Sequence, residues 1–501
     1  MNKLHSIISA AALSLVPALT GCMASPSHVS SKPAAPPPTP LSASEEVEAW
    51  RRQMPASGSP AALDMPAPKV STLPNGLSVY VLPRATAVVS LSLVVRQGAE
   101  ATSPGKSGLA PLLARMLTEA TRKHNAFELA EAAENFGATL NSSAQRDSIE
   151  VSLDASPNDY ERALELLSEV VREPAFDFRD FERVRSQWLD DLLAERQSPM
   201  ALASTVALRA LYGTYRGAPI NGAVSDVKKL QVTDLKEWHA STVVPTNSAL
   251  IAVGPIEQGR LLKTAEAAFG NWKAPAIARK AVEYSPAPKG SRQVIIVDRK
   301  GAVQSALFAV QPFPRRLEPG HEARLLLSDV FGGLFTSRIN MNLRETHAYT
   351  YGAHSSVIAN RNFGVFIVQT SVRTDVTAES LNEVLSELSA ITPPKPTRPI
   401  ENEELARARA DLVHHLGAHL EQNRILAGDL ASVFVQGLPQ DYFSRLPGMY
   451  SGLDANAVVS QQSLIQPDKF TIVIVGDRAA IEPPLTKAGF TIVSPDPAWL
   501  D

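Results

Sequence analysis

The chain has 501 residues, of which 44% are hydrophobic and 20% are charged, and its formal net charge is -3. This length exceeds the ~100 to 200 residues of a usual domain, so two or more domains are expected, and the composition excludes both a disordered chain and a protein with many membrane spans. Lys and Arg number 48 against 51 Asp and Glu, without a dense basic run, so no nucleic-acid partner is expected.

The N-terminal segment is typical of a secretory signal. Lys3 precedes an apolar stretch at residues 7–19, which is shorter than the ~20 residues needed to cross a bilayer. The stretch ends at Leu19-Thr20-Gly21-Cys22, which resembles a bacterial lipobox, and Cys22 is the single cysteine of the chain. We therefore expect residues 1–21 to be a lipoprotein signal peptide and Cys22 to carry the lipid. An ordinary secretory signal with an incidental cysteine is the alternative.

Residues 22–68 are rich in proline, alanine and serine, including Pro36-Pro37-Pro38. This composition favours an extended polyproline II conformation over regular helix or sheet. We expect a tether that joins the lipid to the globular body in a bacterial cell envelope. The residue after Cys22 is Met23, whereas an aspartate at this position commonly retains lipoproteins in the inner membrane. The resemblance therefore favours an anchor in the outer membrane, with the globular body facing the periplasm.

The globular part carries an internal repeat. Residues 245–254 and 467–476 each begin with a proline and end in an apolar strand-like run with a final glycine. Strand-like runs at 90–95 and 305–310 each precede an apolar helical stretch. The two halves of the sequence therefore run in parallel and are expected to share one fold.

Proline-containing residues 276–290 favour a linker between an N-terminal domain at 69–275 and a C-terminal domain at 291–501. Hairpin signals such as Pro74-Asn75-Gly76 alternate with amphipathic helical segments such as 158–172. This mixture predicts an α+β fold with two repeated domains. Each domain should be an antiparallel-rich sheet with helices packed on one face.

Together with the repeat, two motifs carry a family resemblance. Leu73-Pro-Asn-Gly-Leu77 and Gly105-Lys-Ser-Gly-Leu-Ala110 precede and follow the first strands. The chain resembles the pitrilysin/insulinase family of zinc peptidases over residues 69–501. The resemblance implies a metallopeptidase-like fold that forms one half of a clamshell.

In that family a helix of the first domain carries an inverted zinc motif, His-x-x-Glu-His. The matching positions here hold Pro111, Ala114 and Arg115, and the third ligand position falls at Asp191. Proline and arginine cannot replace neutral imidazoles, alanine cannot accept a proton, and one carboxylate does not make a zinc site. We therefore expect no metal in this chain and no catalysis by it alone.

The second half resembles the Arg/Tyr motif of the same family at residues 343–353, with Arg344 and Tyr351 as the pair. In two-subunit members one chain supplies zinc, and the other supplies this pair to bind the substrate carbonyl. Such donors stabilise negative charge that develops on the carbonyl. Ala348 stands where glycine is common, which puts the local turn in question. From the residues alone, Arg344 could instead cap a helix end and Tyr351 could pack within a strand.

Two further candidates are weaker. Asn141 and Ser142 match the family's edge-strand region, where an extended peptide can add to the sheet, although an ordinary polar edge strand fits equally well. His415 and His419 are spaced i, i+4 on a predicted helix and could share a metal, but no carboxylate lies between them. Solvated or packed helix histidines are the alternative.

These observations leave three functional hypotheses. The first is a non-catalytic subunit that supplies Arg344 and Tyr351 to a partner chain with His-x-x-Glu-His, forming a periplasmic zinc endopeptidase that acts on peptides. The second is a peptide-binding or scaffold lipoprotein that keeps the fold without proteolysis. The third is an enzyme whose ligands have moved to His414, His415 and His419.

Overall fold

The computed structural model describes residues 63–273, 292–394 and 396–501. The predicted signal peptide, Cys22 and the predicted linker at 276–290 lie outside these residues. Of the predicted tether only residues 63–68 are described, and within them Met65 is buried against the body. The predicted domain limits stay predictions.

The first half of the body contains six strands and eight α-helices among its described residues. The strands are β1 (Lys69–Thr72), β2 (Ser78–Pro83), β3 (Val89–Val95), β4 (Asn141–Ala144), β5 (Ile149–Ala155) and β6 (Ser248–Gly254). The helices are α1 (Leu109–Leu117), α2 (Ala126–Glu134), α3 (Tyr160–Arg172), α4 (Phe178–Glu195), α5 (Pro199–Arg216), α6 (Val224–Val227), α7 (Val232–Thr242) and α8 (Gln258–Phe269).

The second half, as described, contains the same number of each. Its strands are β7 (Gln293–Asp298), β8 (Gln304–Pro312), β9 (Thr350–Ala359), β10 (Gly364–Arg373), β11 (Thr471–Gly476) and β12 (Ile492–Val493). Its helices are α9 (His321–Ser328), α10 (Arg338–Asn340), α11 (Thr377–Ile391), α12 (Asn402–His419), α13 (Asn423–Gln436), α14 (Tyr442–Gly452), α15 (Ala455–Gln462) and α16 (Arg478–Lys487).

Each half forms one six-stranded sheet, and the two sheets share the order and direction of five strands but differ in the outer strand, since β1 is antiparallel to β2 and β12 is parallel to β7. The strand orders are β1-β2-β6-β3-β5-β4 and β12-β7-β11-β8-β10-β9. In both sheets the central strand, β6 or β11, pairs in parallel with one neighbour and antiparallel with the other. These central strands are the two repeated apolar runs of the sequence, so the predicted α+β fold with a repeated sheet is confirmed.

Local sequence explains where several helices begin and which face they bury. The Asn125 side chain accepts hydrogen bonds from the N–H groups of Phe127 and Glu128, and the Glu128 carboxylate accepts one from the Asn125 N–H, which is a capping box. Helix α5 begins after Ser198 with proline in its first turn. Helix α3 buries one apolar stripe, consisting of Ala163, Leu164, Leu167, Val170 and Val171.

Both faces of each sheet are covered, and the second face is covered by helices from the other half. Leu82 and Ile251 of the first sheet pack with Leu430 of α13 and its neighbours. Helix α5 of the first half packs on the second sheet, where Val206 contacts the cluster that includes Phe308. The sequence predicted one helical layer for each sheet, and these exchanged helices add the second. None of the described helices has both the length and the apolar character needed to span a membrane.

Candidate functional site

Helix α1 carries the positions that match the family's zinc motif. The helix begins after Gly108, whose φ of 86° is a left-handed value that favours glycine. Pro111 and Ala114 are both buried in the hydrophobic core of the first half. Their side chains therefore contribute to packing and carry no atom that could bind a metal or accept a proton.

The structure joins the other two positions of this degenerate site. Arg115 on α1 and Asp191 on α4 form an ion pair, with Nη2 and Oδ2 2.9 Å apart. The Arg115 guanidinium also lies 3.8 Å from the centre of the Trp188 ring, which is a cation–π contact. The two side chains are 39% and 58% exposed, so they lie at the surface of the site.

This donor set does not fit zinc. Asp191 alone carries a suitable ligand atom, and its carboxylate is paired with a permanent cation. Over the part of the chain that is described, no group of three or more His, Cys, Asp or Glu residues is placed to hold a metal. The Arg115 guanidinium lies where the family resemblance implies a metal ligand.

Strand β4 lies at the free edge of the first sheet, next to α1. It pairs with β5 alone, in a register that sets Asn141 opposite Ser152 and Ser142 opposite Val151. The Ser142 hydroxyl is buried and has no hydrogen-bond partner among the described residues. The edge position fits the addition of an extended peptide, and the binding roles of Asn141 and Ser142 stay predictions.

Arg344 lies in a π-helical turn, Met341–Thr346, that packs against β9. Its guanidinium sits 4.7 Å from the centre of the Phe335 ring, and its Nε is 3.3 Å from Glu345 Oε1. The side chain stays 40% exposed. Stacking and the ion pair limit the freedom of the guanidinium while most of its donors remain available to a ligand.

Tyr351 is the second residue of β9, which is the free edge of the second sheet. Its side chain is 89% exposed. Tyr351 therefore does not pack within the sheet, whereas the alternative interpretation required it to do so. The register between β9 and β10 is irregular at this point, between Thr370 and Val372. A bulge of this kind changes the direction of a side chain.

A tight turn connects Arg344 to Tyr351. The Ala348 N–H donates to the Arg344 carbonyl at 3.1 Å, and the Tyr349 N–H donates to the Leu343 carbonyl at 2.8 Å. Ala348 itself has a φ of 53°, in the left-handed region. Ala348 therefore adopts a left-handed conformation at the position where the resemblance leads us to expect glycine.

The histidine pair on α12 does not form a shared site. His415 Nδ1 lies 3.1 Å from Asp411 Oδ2, whereas His419 Nδ1 lies 2.8 Å from Asp429 Oδ2. Each ring therefore has its own carboxylate partner, and His415 is largely exposed. These contacts agree with solvated and packed helix histidines.

Sequence reasoning missed the residues that hold the Arg/Tyr site in shape. Asn340 is buried; its Oδ1 accepts from the Ala353 N–H at 3.2 Å and its Nδ2 donates to the Phe335 carbonyl at 2.6 Å. It thereby ties β9 to the loop whose aromatic ring stacks on Arg344. No periodicity in the sequence marks such a residue, because its partners are 5 and 13 positions away, one in a loop and one in β9.

Two family models match the chain, one in each half. Residues 79–220 match the model described as Insulinase (Peptidase family M16), and residues 229–412 match Peptidase M16 inactive domain. Together the two matches span well over half of the chain.

Individual relatives agree with this assignment. An uncharacterized zinc protease of Mycobacterium leprae is 23% identical over 295 residues, which are 57% of this chain and 65% of that protein, slightly under two thirds of its length. The non-peptidase homolog YmxG of Helicobacter pylori is 22% identical over 409 residues, or 81% of this chain and 88% of that protein.

The fold also has a solved counterpart. The crystal structure of the peptidase M16 inactive domain from Pseudomonas fluorescens superimposes with a TM-score of 0.75 at 23% identity. The match covers 82% of this chain and 98% of that one, which shows a shared fold. Since models of a single family match both halves over well more than half of its length, the chain belongs to the insulinase (M16) peptidase family.

Proposed function

We propose that this chain is the non-catalytic subunit of a two-chain zinc endopeptidase, to which it supplies Arg344 and Tyr351. The observation that carries the proposal is the contrast between two sites of one chain. The zinc-motif positions hold a buried proline, a buried alanine and the Arg115–Asp191 ion pair, with no set of metal ligands, whereas Arg344 and Tyr351 keep exposed hydrogen-bond donors joined by a fixed turn.

The chemistry of the pair supports a role in binding a peptide carbonyl. A guanidinium and a phenol hydroxyl are both hydrogen-bond donors, and a guanidinium carries a positive charge. Donors that are fixed before the reaction stabilise the negative charge that develops on a carbonyl oxygen, because they need no reorganisation. Phe335 and Glu345 restrain Arg344 in this way.

The proposal requires a partner, since the described residues of the first half include no donor set for zinc. In the proposed pair, the metal and the carboxylate that activates water belong to a chain with an intact His-x-x-Glu-His. The pairing of two such chains is what the family resemblance implies.

The decisive experiment reconstitutes the tagged full chain with a His-x-x-Glu-His chain from the same cells. Zinc content of about one per pair and chelator-sensitive peptide cleavage are expected only from the complex. Arg344→Ala and Tyr351→Phe should lower kcat by roughly 10²- to 10³-fold each while the yield of complex is unchanged. Thr346→Val, on the same turn, is the matched control and should keep the wild-type rate.

Turnover by both variants at the wild-type rate would contradict the proposal. One zinc per isolated chain, with cleavage by that chain alone, would contradict it as well. Loss of complex with unchanged turnover of the remainder would assign Arg344 and Tyr351 a structural role.

We also propose that lipid on Cys22 anchors the chain to the outer membrane, with the body in the periplasm. The supporting feature is the lipobox-like sequence before Cys22. Cys22→Ser in the full chain should move it from the detergent phase to the aqueous phase without changing its Tm. A variant that stays in the detergent phase would argue against this anchor.

A peptide-binding protein without any proteolytic role is the second candidate. The exposed edges of β4 and β9 favour it, because an extended peptide can add to either edge. Peptide binding by the isolated chain that persists in Arg344→Ala, with no zinc-dependent cleavage in any complex, would favour this candidate.

A further inference from the structure

The register of β9 against β10 decides which way Tyr351 points. Ala353 is opposite Thr370 and Thr350 is opposite Val372, so two residues of β9, Tyr351 and Gly352, face one residue of β10, Ser371. Regular pairing would instead set Tyr351 opposite Val372, which is fully buried. The extra residue therefore transfers Tyr351 to the exposed face that Ser371 occupies.

Two threonine hydroxyls surround this bulge. Thr350 Oγ1 lies 2.7 Å from the Ser371 carbonyl and accepts a hydrogen bond from the Gly352 N–H at 3.0 Å. Thr370 Oγ1 lies 2.9 Å from both Thr350 Oγ1 and the Gly352 carbonyl. Each hydroxyl has one proton, so one consistent arrangement has Thr350 donating to Ser371 and Thr370 donating to Gly352.

The strand is fixed immediately after the bulge as well. The Ala353 N–H donates to Oδ1 of buried Asn340, so β9 cannot slide to absorb the extra residue further along. Thr370 is itself buried. A polar backbone group left without a hydrogen bond near it would cost free energy, and the Thr370 hydroxyl bonds to the Gly352 carbonyl. The irregularity is thus confined to Tyr351 and Gly352.

We propose that Thr350 and Thr370 are positioning residues that hold this bulge and thereby direct Tyr351 out of the sheet toward the substrate. This inference rests on the proposed function for the role of Tyr351, but the direction of the side chain is measurable without any partner chain. Valine at either position keeps the shape of threonine and removes the hydroxyl, which weakens the bulge relative to regular pairing.

The first measurement is the rate at which tetranitromethane nitrates Tyr351 in the folded full chain, followed by peptide mass spectrometry. We expect rapid labelling of the wild type and severalfold slower labelling of Thr350→Val and Thr370→Val. Thr350→Ser keeps the hydroxyl and should restore the wild-type rate. Tyr215 on α5 is also exposed and serves as the internal reference in every sample.

Ser371→Ala is the matched control. It removes a hydroxyl from the residue opposite the bulge and keeps the carbonyl that accepts from Thr350, so labelling should match the wild type. Variants are compared only where circular dichroism and Tm indicate a folded chain. If only one of the two valine variants folds, that variant is enough for the labelling test. Wild-type labelling of a folded valine variant would overturn the inference.

The second measurement uses the reconstituted complex. Thr350→Val should lower kcat with little change in KM, and it should have no additional effect in a Tyr351→Phe background, because both act through one side chain. Additive effects of the two substitutions would overturn the positioning role. If Tyr351→Phe alone has no effect, the proposed function fails, whereas the labelling result still decides whether the threonines hold the bulge.

Discussion

Ala348 is an alanine in a backbone conformation that favours glycine. Its φ of 53° lies in the left-handed region, where a Cβ atom crowds the following carbonyl. Its own carbonyl accepts a hydrogen bond from Arg373 Nη1 at 3.1 Å, so the turn is held by its surroundings. The site between Arg344 and Tyr351 therefore contains local strain.

Replacing this alanine with glycine should relieve the strain. We expect Ala348→Gly to raise the free energy of unfolding by about 1 kcal/mol in denaturant titrations, despite the greater entropy of glycine in the unfolded chain. Ala406→Gly, at an exposed position within α12, is the control and should lower it by about 1 kcal/mol. A destabilising Ala348→Gly would mean that the left-handed conformation carries no cost here.

At the scale of single elements, helices α5 and α13 each pack on the sheet of the other half, which lies far from them in sequence. Helix α13 belongs to the second half of the sequence but covers the first sheet. Asn423 at its start donates to Val88 O at 2.7 Å and Thr86 Oγ1 at 2.8 Å, and accepts from Arg84 Nη1 at 3.2 Å. One buried amide thus joins α13 to the loop between β2 and β3.

Removal of this amide should weaken the docking of α13. We expect Asn423→Ala to lower the free energy of unfolding by about 2 kcal/mol, because Val88 O and Thr86 Oγ1 lose their buried partner. The same substitution at Asn456, exposed on α15, should change stability by less than about 0.5 kcal/mol. Equal effects of the two substitutions would mean that the hydrogen bonds of Asn423 contribute nothing to docking.

At the scale of the whole molecule, a buried charged cluster lies where the two halves meet. Asp147, in the loop between β4 and β5, accepts from the Arg361 N–H at 2.9 Å and from Gln436 Nε2 at 3.2 Å. Burial, together with the nearby Asp147 carboxylate, raises the pKa of Glu100 from 4.5 to about 7, although Arg146 and Arg216 oppose the shift. Glu100 therefore titrates near neutral pH in the folded chain.

This shift has a definite sign for stability. The Glu100 pKa is higher in the folded than in the unfolded chain, so its contribution to stability is fully present below about 4.5 and is lost as pH rises through about 7. Between about pH 6 and pH 8 the wild type should lose ~1 kcal/mol through this group, and Glu100→Gln should not. Chemical denaturation at the two pH values measures the difference.

Burial also raises the pKa of Asp329 to about 7. The wild type and Glu100→Gln will therefore both lose some stability through Asp329 as the pH rises. Only the difference between Glu100→Gln and wild type reports on Glu100. The exposed Glu131→Gln on α2 is the control, and its pH dependence should match the wild type. Equal losses in Glu100→Gln and wild type would mean that Glu100 ionises in its ordinary range.

The sequence by itself determined the repeat, the fold class and the candidate residues. Apolar runs ending in Gly254 and Gly476 identified the two central strands, because a fully buried strand needs an unbroken apolar run. Pro111, Ala114 and Arg115 excluded a zinc motif by their chemistry alone. The fold class is confirmed because it depends on residue type and on spacing within single elements, and the absence of zinc from this chain stays a prediction.

The tertiary structure alone decided the features that depend on contacts between distant segments. Arg115 and Asp191 are 76 positions apart, and only the packing of α1 against α4 brings them together. Helix α13 covers the first sheet rather than the second for the same kind of reason. The direction of Tyr351 depends on one extra residue in a strand register that Thr370, on the next strand, helps to hold. Local periodicity carries no information on such pairings, because their free energy comes from surfaces that meet only after the chain has folded.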